Sequence, residues 1–196
     1  HPDLGIGGAE RLVVDAAVAL QKHGHNVSFI TNHHDRSHCF EETRNDTIKV
    51  EVVGDWIPRS LFGKFHAIFA YIRMMYAAFV IALLRSREEK IDLIFCDLIS
   101  VGIPILKFTQ SKVLFYCHFP DQLLSKPGGF FKSLYRAPLN FLEEKTTGKA
   151  DGILVNSKFT SRIFCETFKS LNIVPDVLYP SLVTSIFDKL QTDEQV

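Results

Sequence analysis

The chain has 196 residues, which is long enough for one well-buried domain. Lysine and arginine number 22 together, as do aspartate and glutamate, so the formal net charge at neutral pH is zero. This balance argues against nucleic acid as the main partner, because there is no excess positive charge to attract a polyanion. The four cysteines are widely spaced, which favours a reduced, cytosol-facing protein over a disulfide scaffold.

The chain begins with a glycine-rich segment, HPDLGIGGAER, that runs directly into an amphipathic stretch. Gly5, Gly7 and Gly8 predict a turn that opens a helix over residues 9–22 and presents unpaired backbone N–H groups to an anion. No apolar strand precedes this loop, so we expect the first strand of the domain to be missing from the chain. Glu10 occupies the place of the third glycine of the dinucleotide fingerprint, which favours a sugar or phosphate site over an NAD site.

Short apolar runs alternate with helical stretches along the rest of the chain. Strands are predicted over residues 26–31, 48–53, 91–96, 112–117, 152–155 and 177–179, and helices over 65–86, 99–108, 130–148 and 158–169. This alternation predicts an α/β fold, a doubly wound Rossmann-like parallel sheet. Cys96 and Cys117 lie inside strands and are expected to be small buried hydrophobes. Because ligands bind beyond the carboxyl ends of parallel strands, we expect functional residues directly after each strand, such as Asp97.

Residues 68–84 form an apolar stretch with a single polar residue, Arg73. Three interpretations are open: a wholly buried crossover helix, a helix lying against a membrane, or a transmembrane anchor. In the second, Arg73 and Arg85 would reach toward lipid headgroups. A central arginine argues against the third, because an arginine in the middle of a bilayer is costly.

The strongest catalytic candidate is His118, which follows the strand over 112–117. A histidine there can bond a substrate hydroxyl or transfer a proton, although a structural histidine bonded to a carbonyl would fit the same pattern. Phe119, Pro120 and Asp121 extend the expected crevice. Ser157 starts another helix after a strand and is a further crevice candidate, but helix capping alone would also explain it.

Other polar clusters give weaker signals. Lys126, Lys132 and Arg136 alternate with aromatic residues, so this segment either contacts a lipid-linked phosphate or simply starts an amphipathic helix. Glu143 and Glu144 project about 100° apart around a helix, so only one can point to a site, where it could orient a base. The histidines at 33, 34 and 38 have no metal-ligand spacing, and we expect no metal site.

Several motifs together resemble the N-terminal half of family 4 glycosyltransferases of the GT-B fold: HPDLGIGGAERLVVDAA, FYCHFPD, KSLYRAP, EEKTTGKADGILVNSKFT and DVLYPS. The resemblance is strongest to members that extend the dolichol-linked precursor of N-glycans. It implies transfer of mannose from GDP-mannose to Man-GlcNAc2-diphosphate-dolichol, first in α-1,3 and then in α-1,6 linkage. It also implies a retaining enzyme without a metal or other cofactor, at the cytosolic face of the endoplasmic reticulum membrane.

The same resemblance implies roles for individual residues. Gly5, Gly7, Gly8 and Glu10 would form the loop beside the donor diphosphate, and His118 would lie close to the transferred sugar. In this family most donor contacts come from a second domain with an E-x7-E pair, and no comparable pair stands in this chain. We therefore expect residues 1–180 to be the acceptor-side domain and 181–196 to be a frayed tail or the start of a linker. The C-terminal donor-binding domain would be absent, and the chain alone would be inactive.

Two other function classes remain open at this point. One is a non-catalytic binding or scaffold module of the same fold, acting with other glycosyltransferases. The other is an NAD-dependent oxidoreductase, which ranks last because the chain lacks the third glycine and a well-placed acid after the second strand.

Overall fold

The computed structural model describes residues 1–88, 90–124 and 129–181. The strands are β1 (Ser28–Thr31), β2 (Lys49–Val52), β3 (Leu93–Asp97), β4 (Lys112–Cys117), β5 (Gly152–Val155) and β6 (Asp176–Val177). The helices are α1 (Gly8–Lys22), α2 (Glu41–Arg44), α3 (His66–Val80), α4 (Ser86–Glu88), α5 (Ile103–Leu106), α6 (Asp121–Leu124), α7 (Phe130–Thr147) and α8 (Lys158–Thr167). A π-helical turn (Ile81–Arg85) joins α3 to α4, and 3-10 turns (Ser100–Gly102 and Lys107–Thr109) flank α5.

The strands pair in parallel, as the alternating pattern predicts, so the α/β fold class is confirmed. They form two sheets rather than one: β1 pairs with β2, and the other four lie in the order β3-β4-β5-β6. The first residue of the chain lies between the two sheets. Its backbone nitrogen donates to Ile30 O at 3.0 Å, its carbonyl accepts from Asn32 N at 3.3 Å, and its side chain bonds Asp97 at the end of β3.

The larger sheet is covered on both faces, because alternate residues of β4 point in opposite directions. Val113, Phe115 and Cys117 pack into a core with Tyr71, Met74, Ile103, Leu139 and Phe164. Tyr116 points to the other face, where it joins a second core with Leu12, Val13, Val14 and Ala17 of α1. Cys96 and Cys117 are buried in the first core, which confirms that prediction.

The helix predicted over residues 99–108 is observed as three short elements. These are the four-residue helix α5, which has Pro104 in its first turn, and the 3-10 turns on either side of it. The helix predicted over residues 65–86 is observed as α3, the π-helical turn and α4, which together span 66–88, and the remaining predicted boundaries differ from the observed ones by up to two residues. Of the predicted tail over 181–196, only Ser181 lies within the described residues.

Among the described residues the apolar stretch is only partly buried, so a wholly buried crossover helix, the first of the three interpretations, does not fit it. Residues His66–Arg85 are long and apolar enough to cross a bilayer by length and composition, and 28% of their most apolar window is buried. A buried core helix passes the same test of length and composition. Ile72, Tyr76, Phe79, Leu83 and Leu84 are exposed.

The contact of Arg73 with lipid headgroups, which belongs to the second interpretation, does not fit the structure either. Arg73 is 6% exposed and donates to Asn32 O at 2.6 Å and to Asp55 Oδ1 at 3.1 Å. Arg85 pairs with Glu51 of β2. Both guanidinium groups therefore turn toward the first sheet and its loops, because carboxylates and a buried carbonyl there accept hydrogen bonds from them.

Candidate active site

A buried carboxylate joins the ends of two strands to the glycine-rich loop. Asp97 is the last residue of β3, and its Oδ2 lies 2.5 Å from His1 Nδ1 and 3.6 Å from His118 Nε2. His1 Nε2 lies 3.5 Å from Oε1 of Glu10 in the first turn of α1. The ends of β3 and β4 and the start of α1 thus meet at one place, as expected for parallel strands.

The charges in this cluster stabilise one another. Burial opposes ionisation of Asp97, but electrostatic attraction to His1 and His118 and the hydrogen bond with His1 hold its pKa below the usual range. Burial likewise disfavours the charged form of His1, yet Asp97 and Glu10 together raise its pKa to about 10. The hydrogen bond from His1 lowers the pKa of Glu10. The cluster is therefore two carboxylates flanking an imidazolium at neutral pH.

The two glycines at the start of α1 have different surroundings. Gly7 is the N-cap, and a Cβ there would collide with the Glu10 carboxylate, which folds back over the helix start. A Cβ on Gly8 would meet no atom within 4 Å. Gly7 is therefore required for the close approach of Glu10, whereas Gly8 leaves the first helical turn open to a ligand.

An open cleft of about 410 Å³ borders the glycine-rich loop. Both acidic and basic side chains line it, together with Gly5 and Ile6: Asp3, Glu10, His33, Asp35, His38 and Arg59. Arg59 pairs with Asp3 across 3.2 Å. Glu10 lines this cleft and also contacts His1, so the cleft borders the Asp97 cluster through Glu10, although neither Asp97 nor His118 lines it.

The segment after β4 is held by α7. Glu143 is buried and accepts the backbone N–H of Asp121 at 2.6 Å and of Gln122 at 3.0 Å. Arg136 donates to Asp121 Oδ2 at 3.0 Å. Pro120 is buried between these contacts and Phe119 is half-buried. Of the two adjacent glutamates it is Glu143 that supports the His118 segment, whereas Glu144 accepts from the backbone N–H of Ser170.

Burial raises the pKa of Glu143 from 4.5 to about 7. A carboxyl group whose pKa is higher in the folded state favours folding fully below pH 4.5, and this contribution is lost as the pH rises through about 7. We expect Glu143→Gln to remove this loss, so that the variant gains roughly 3 kcal/mol relative to the wild type between pH 4.5 and pH 8. Urea unfolding across that range measures the difference, with Glu144→Gln as the matched control. A constant difference between variant and wild type would contradict the assignment.

A second contact holds the backbone of the catalytic candidate. Asn156, directly after β5, donates from Nδ2 to the carbonyl of His118 at 3.0 Å. Ser157 accepts from Thr160 N at 3.1 Å and caps α8. The structure therefore places Ser157 as a helix cap beside the crevice, and Asn156 as the residue that contacts the His118 loop.

The three predicted lipid or phosphate contacts are not equivalent. Lys132 is exposed on α7, whereas the Arg136 side chain is 12% exposed and pairs with Asp121. Lys126 lies outside the described residues. Arg136 therefore supports the fold around Asp121, and Lys132 is the described member of the set that faces solvent.

The histidines of the loop after β1 have separate partners. His33 lies 3.0 Å from Asp55, and the ring of His34 lies 3.2 Å from two backbone carbonyl oxygens, those of Leu4 and Thr43. Within residues 1–88, 90–124 and 129–181, no group of three His, Cys, Asp or Glu side chains could hold a metal ion.

His1 was not anticipated from the sequence. Asp97 and Asn156 were expected to be functional because they directly follow strands, but no role was assigned to either. Their partners could not be identified, because Asp97 is separated from His1 by 96 residues and Asn156 from His118 by 38.

A family match and individual relatives both relate this chain to glycosyltransferases. Residues 6–176 match the domain described as Glycosyltransferase Family 4. The chain is 49% identical to the alpha-1,3/1,6-mannosyltransferase ALG2 of Rhizomucor pusillus, over 100% of this chain and 45% of that protein. It is 52% identical to the Homo sapiens protein of that name, over 97% of this chain and 46% of the relative. For the Saccharomyces cerevisiae protein the identity is 46%, over 100% of this chain and 39% of the relative.

The chain thus spans less than half the length of these relatives. The family match, however, covers most of the chain, including the glycine-rich loop, the end of β3 and His118. The chain belongs to glycosyltransferase family 4, whose GT-B fold accounts for its parallel α/β architecture.

Proposed function

We propose that this chain is the acceptor-side domain of a retaining mannosyltransferase. The donor is GDP-mannose, and the acceptor is Man-GlcNAc2 linked through diphosphate to dolichol, which receives an α-1,3 and then an α-1,6 mannose. One observation carries the proposal: in a chain about half identical to mannosyltransferases, contacts through Asp97, His1 and Glu10 link a histidine to an open, glycine-rich helix start. The donor-binding domain would follow this one in the complete protein.

The chemistry assigned to the crevice follows from its charges. Loss of GDP leaves negative charge on the diphosphate, and the first turn of α1 offers backbone N–H groups beside Gly8 to stabilise it. His118 supplies a ring nitrogen to a hydroxyl of the transferred mannose or of the acceptor. The carboxylates of the cleft, such as Asp35, accept hydrogen bonds from acceptor hydroxyls. No resident metal or cofactor is required.

A lipid-linked acceptor also requires access to a membrane surface. Phe62 is 94% exposed at a hairpin tip beside Lys64, and Phe79 and Leu83 are exposed on the apolar stretch. On α7, Phe130 and Leu134 are exposed on either side of Lys132. Exposed apolar side chains, with Lys64 beside Phe62 and Lys132 between Phe130 and Leu134, suit an interface with anionic headgroups. We assign this surface to the cytosolic face of the endoplasmic reticulum, where other glycosyltransferases of the same assembly would be neighbours.

Mannosyl transfer from labelled GDP-mannose to Man-GlcNAc2-diphosphate-dolichol tests the proposal. The full-length protein should catalyse it, and this chain alone should not. His118→Ala should lower kcat about 100-fold or more while leaving Tm nearly unchanged, because the ring is required for turnover and its loop is held by other residues. His25→Ala, an exposed histidine after α1, is the matched control.

Each alternative predicts a different result. Absence of transfer by the full-length protein would favour a binding module or a different substrate. A large fall in Tm for His118→Ala with normal turnover per folded molecule would mean that this histidine is structural.

A further inference from the structure

His118 is in contact with Asn156 at its backbone and with Tyr116 and Asp97 at its ring. The carbonyl of His118 accepts from Asn156, and its ring centroid lies 4.6 Å from that of Tyr116. Its Nε2 atom is buried without a hydrogen-bond partner and faces Asp97 Oδ2 across 3.6 Å. A buried ring nitrogen next to an ionised carboxylate is stable only as an N–H donor, because a lone pair there would face negative charge.

Asp97 is suited to this task because its own charge is compensated. The residue is 2% exposed, and an isolated carboxylate at that depth would take up a proton. The imidazolium of His1, at 2.5 Å, keeps it ionised. On its other side His1 approaches Glu10, so the same ion pair extends to the start of α1.

We propose that Asp97 is a positioning residue that sets the tautomer and orientation of His118. Its carboxylate holds the proton on Nε2 and leaves Nδ1 as the hydrogen-bond acceptor for a substrate hydroxyl. Through His1 it also holds Glu10 over Gly7, so one carboxylate aligns the histidine and the glycine-rich loop. The 3.6 Å separation is longer than a hydrogen bond, as catalytic contacts often are before substrate is bound.

This inference rests on the proposed role of His118, so its test includes a readout independent of turnover. Nitrogen-15 NMR of the full-length protein with labelled histidine reports the tautomer of each ring directly. In the wild type we expect His118 to carry its proton on Nε2. In Asp97→Asn we expect a mixture of tautomers, a fall in kcat of about 30-fold or more, and a KM for GDP-mannose within about threefold of the wild type.

Asp92→Asn provides the matched control, since Asp92 is 83% exposed and pairs with Lys90. A wild-type protein with the His118 proton on Nδ1 would overturn the proposal, and this measurement requires no variant to fold. An Asp97→Asn protein that keeps both tautomer and turnover would overturn it as well. If the protein transfers no mannose under any condition, the proposed function fails, while the tautomer measurement still decides how Asp97 and His118 are related.

Discussion

Replacing Gly8 with valine should abolish mannosyl transfer by the full-length protein and leave its fold intact. A Cβ at this position meets no protein atom within 4 Å, so the valine side chain occupies the open space in front of the first turn of α1. If the donor diphosphate binds there, the side chain blocks its approach to the backbone N–H groups. We expect kcat/KM to fall at least about 100-fold, with Tm changed by only a few degrees.

The control adds the same β-branched side chain elsewhere on the helix. Ala19→Val changes an exposed position of α1 roughly 16 Å away from Gly8 along the helix axis. This variant should keep full activity. Normal turnover in Gly8→Val would contradict the anion-binding role of the loop, and it would direct attention to the charged cleft instead.

Replacing Arg73 with alanine should destabilise the protein by about 3 kcal/mol. The guanidinium of Arg73 donates to the carbonyl of Asn32, and the Asn32 amide donates in turn to Val53 O and Arg73 O. This buried network ties α3 to the ends of β1 and β2. In the alanine variant the buried carbonyl of Asn32 loses the hydrogen bond from Arg73, and a cavity opens where the side chain was. Loss of the ion pair with Asp55 contributes little, because Asp55 is half-exposed and solvent screens the pair.

Urea unfolding or thermal unfolding measures this effect, with Tm expected to fall by roughly 6–10 °C. Arg162→Ala, an exposed position on α8, is the control for loss of an arginine from a helix and should stay within about 0.5 kcal/mol of the wild type. If Arg73→Ala has the same stability as the control, the side chain is not structural. The membrane-facing interpretation of Arg73 would then regain support.

Local sequence patterns were sufficient for the strands and most of the helices. The run KVLFYC was predicted as a strand over residues 112–117, and β4 has those bounds. The extended conformation of a short run of β-forming residues bounded by turns depends mainly on residues that are close in sequence. The division of these strands between two sheets depends on which strands are hydrogen-bonded to one another, and no local pattern records that.

The site was only partly accessible from sequence for a similar reason. His118 and the glycine-rich loop could be located, because the ends of parallel strands share one edge of a sheet. The direction of Arg73 could not, since a single arginine in an apolar run is compatible with lipid headgroups and with a buried ion pair. Its partners, Asn32 and Asp55, are 41 and 18 residues away.

The sequence by itself determined the class of this protein: a parallel α/β domain with a glycine-rich helix start, a histidine after β4, and the motifs of family 4 glycosyltransferases. Only the tertiary structure decided which charged groups meet, namely Asp97 with His1 and His118, and Glu143 with the backbone after His118. The physical reason is that backbone conformation follows from local residue preferences and apolar periodicity. The pairing of buried charges is instead selected by desolvation, which is offset only where the whole fold brings opposite charges and hydrogen-bond donors within reach.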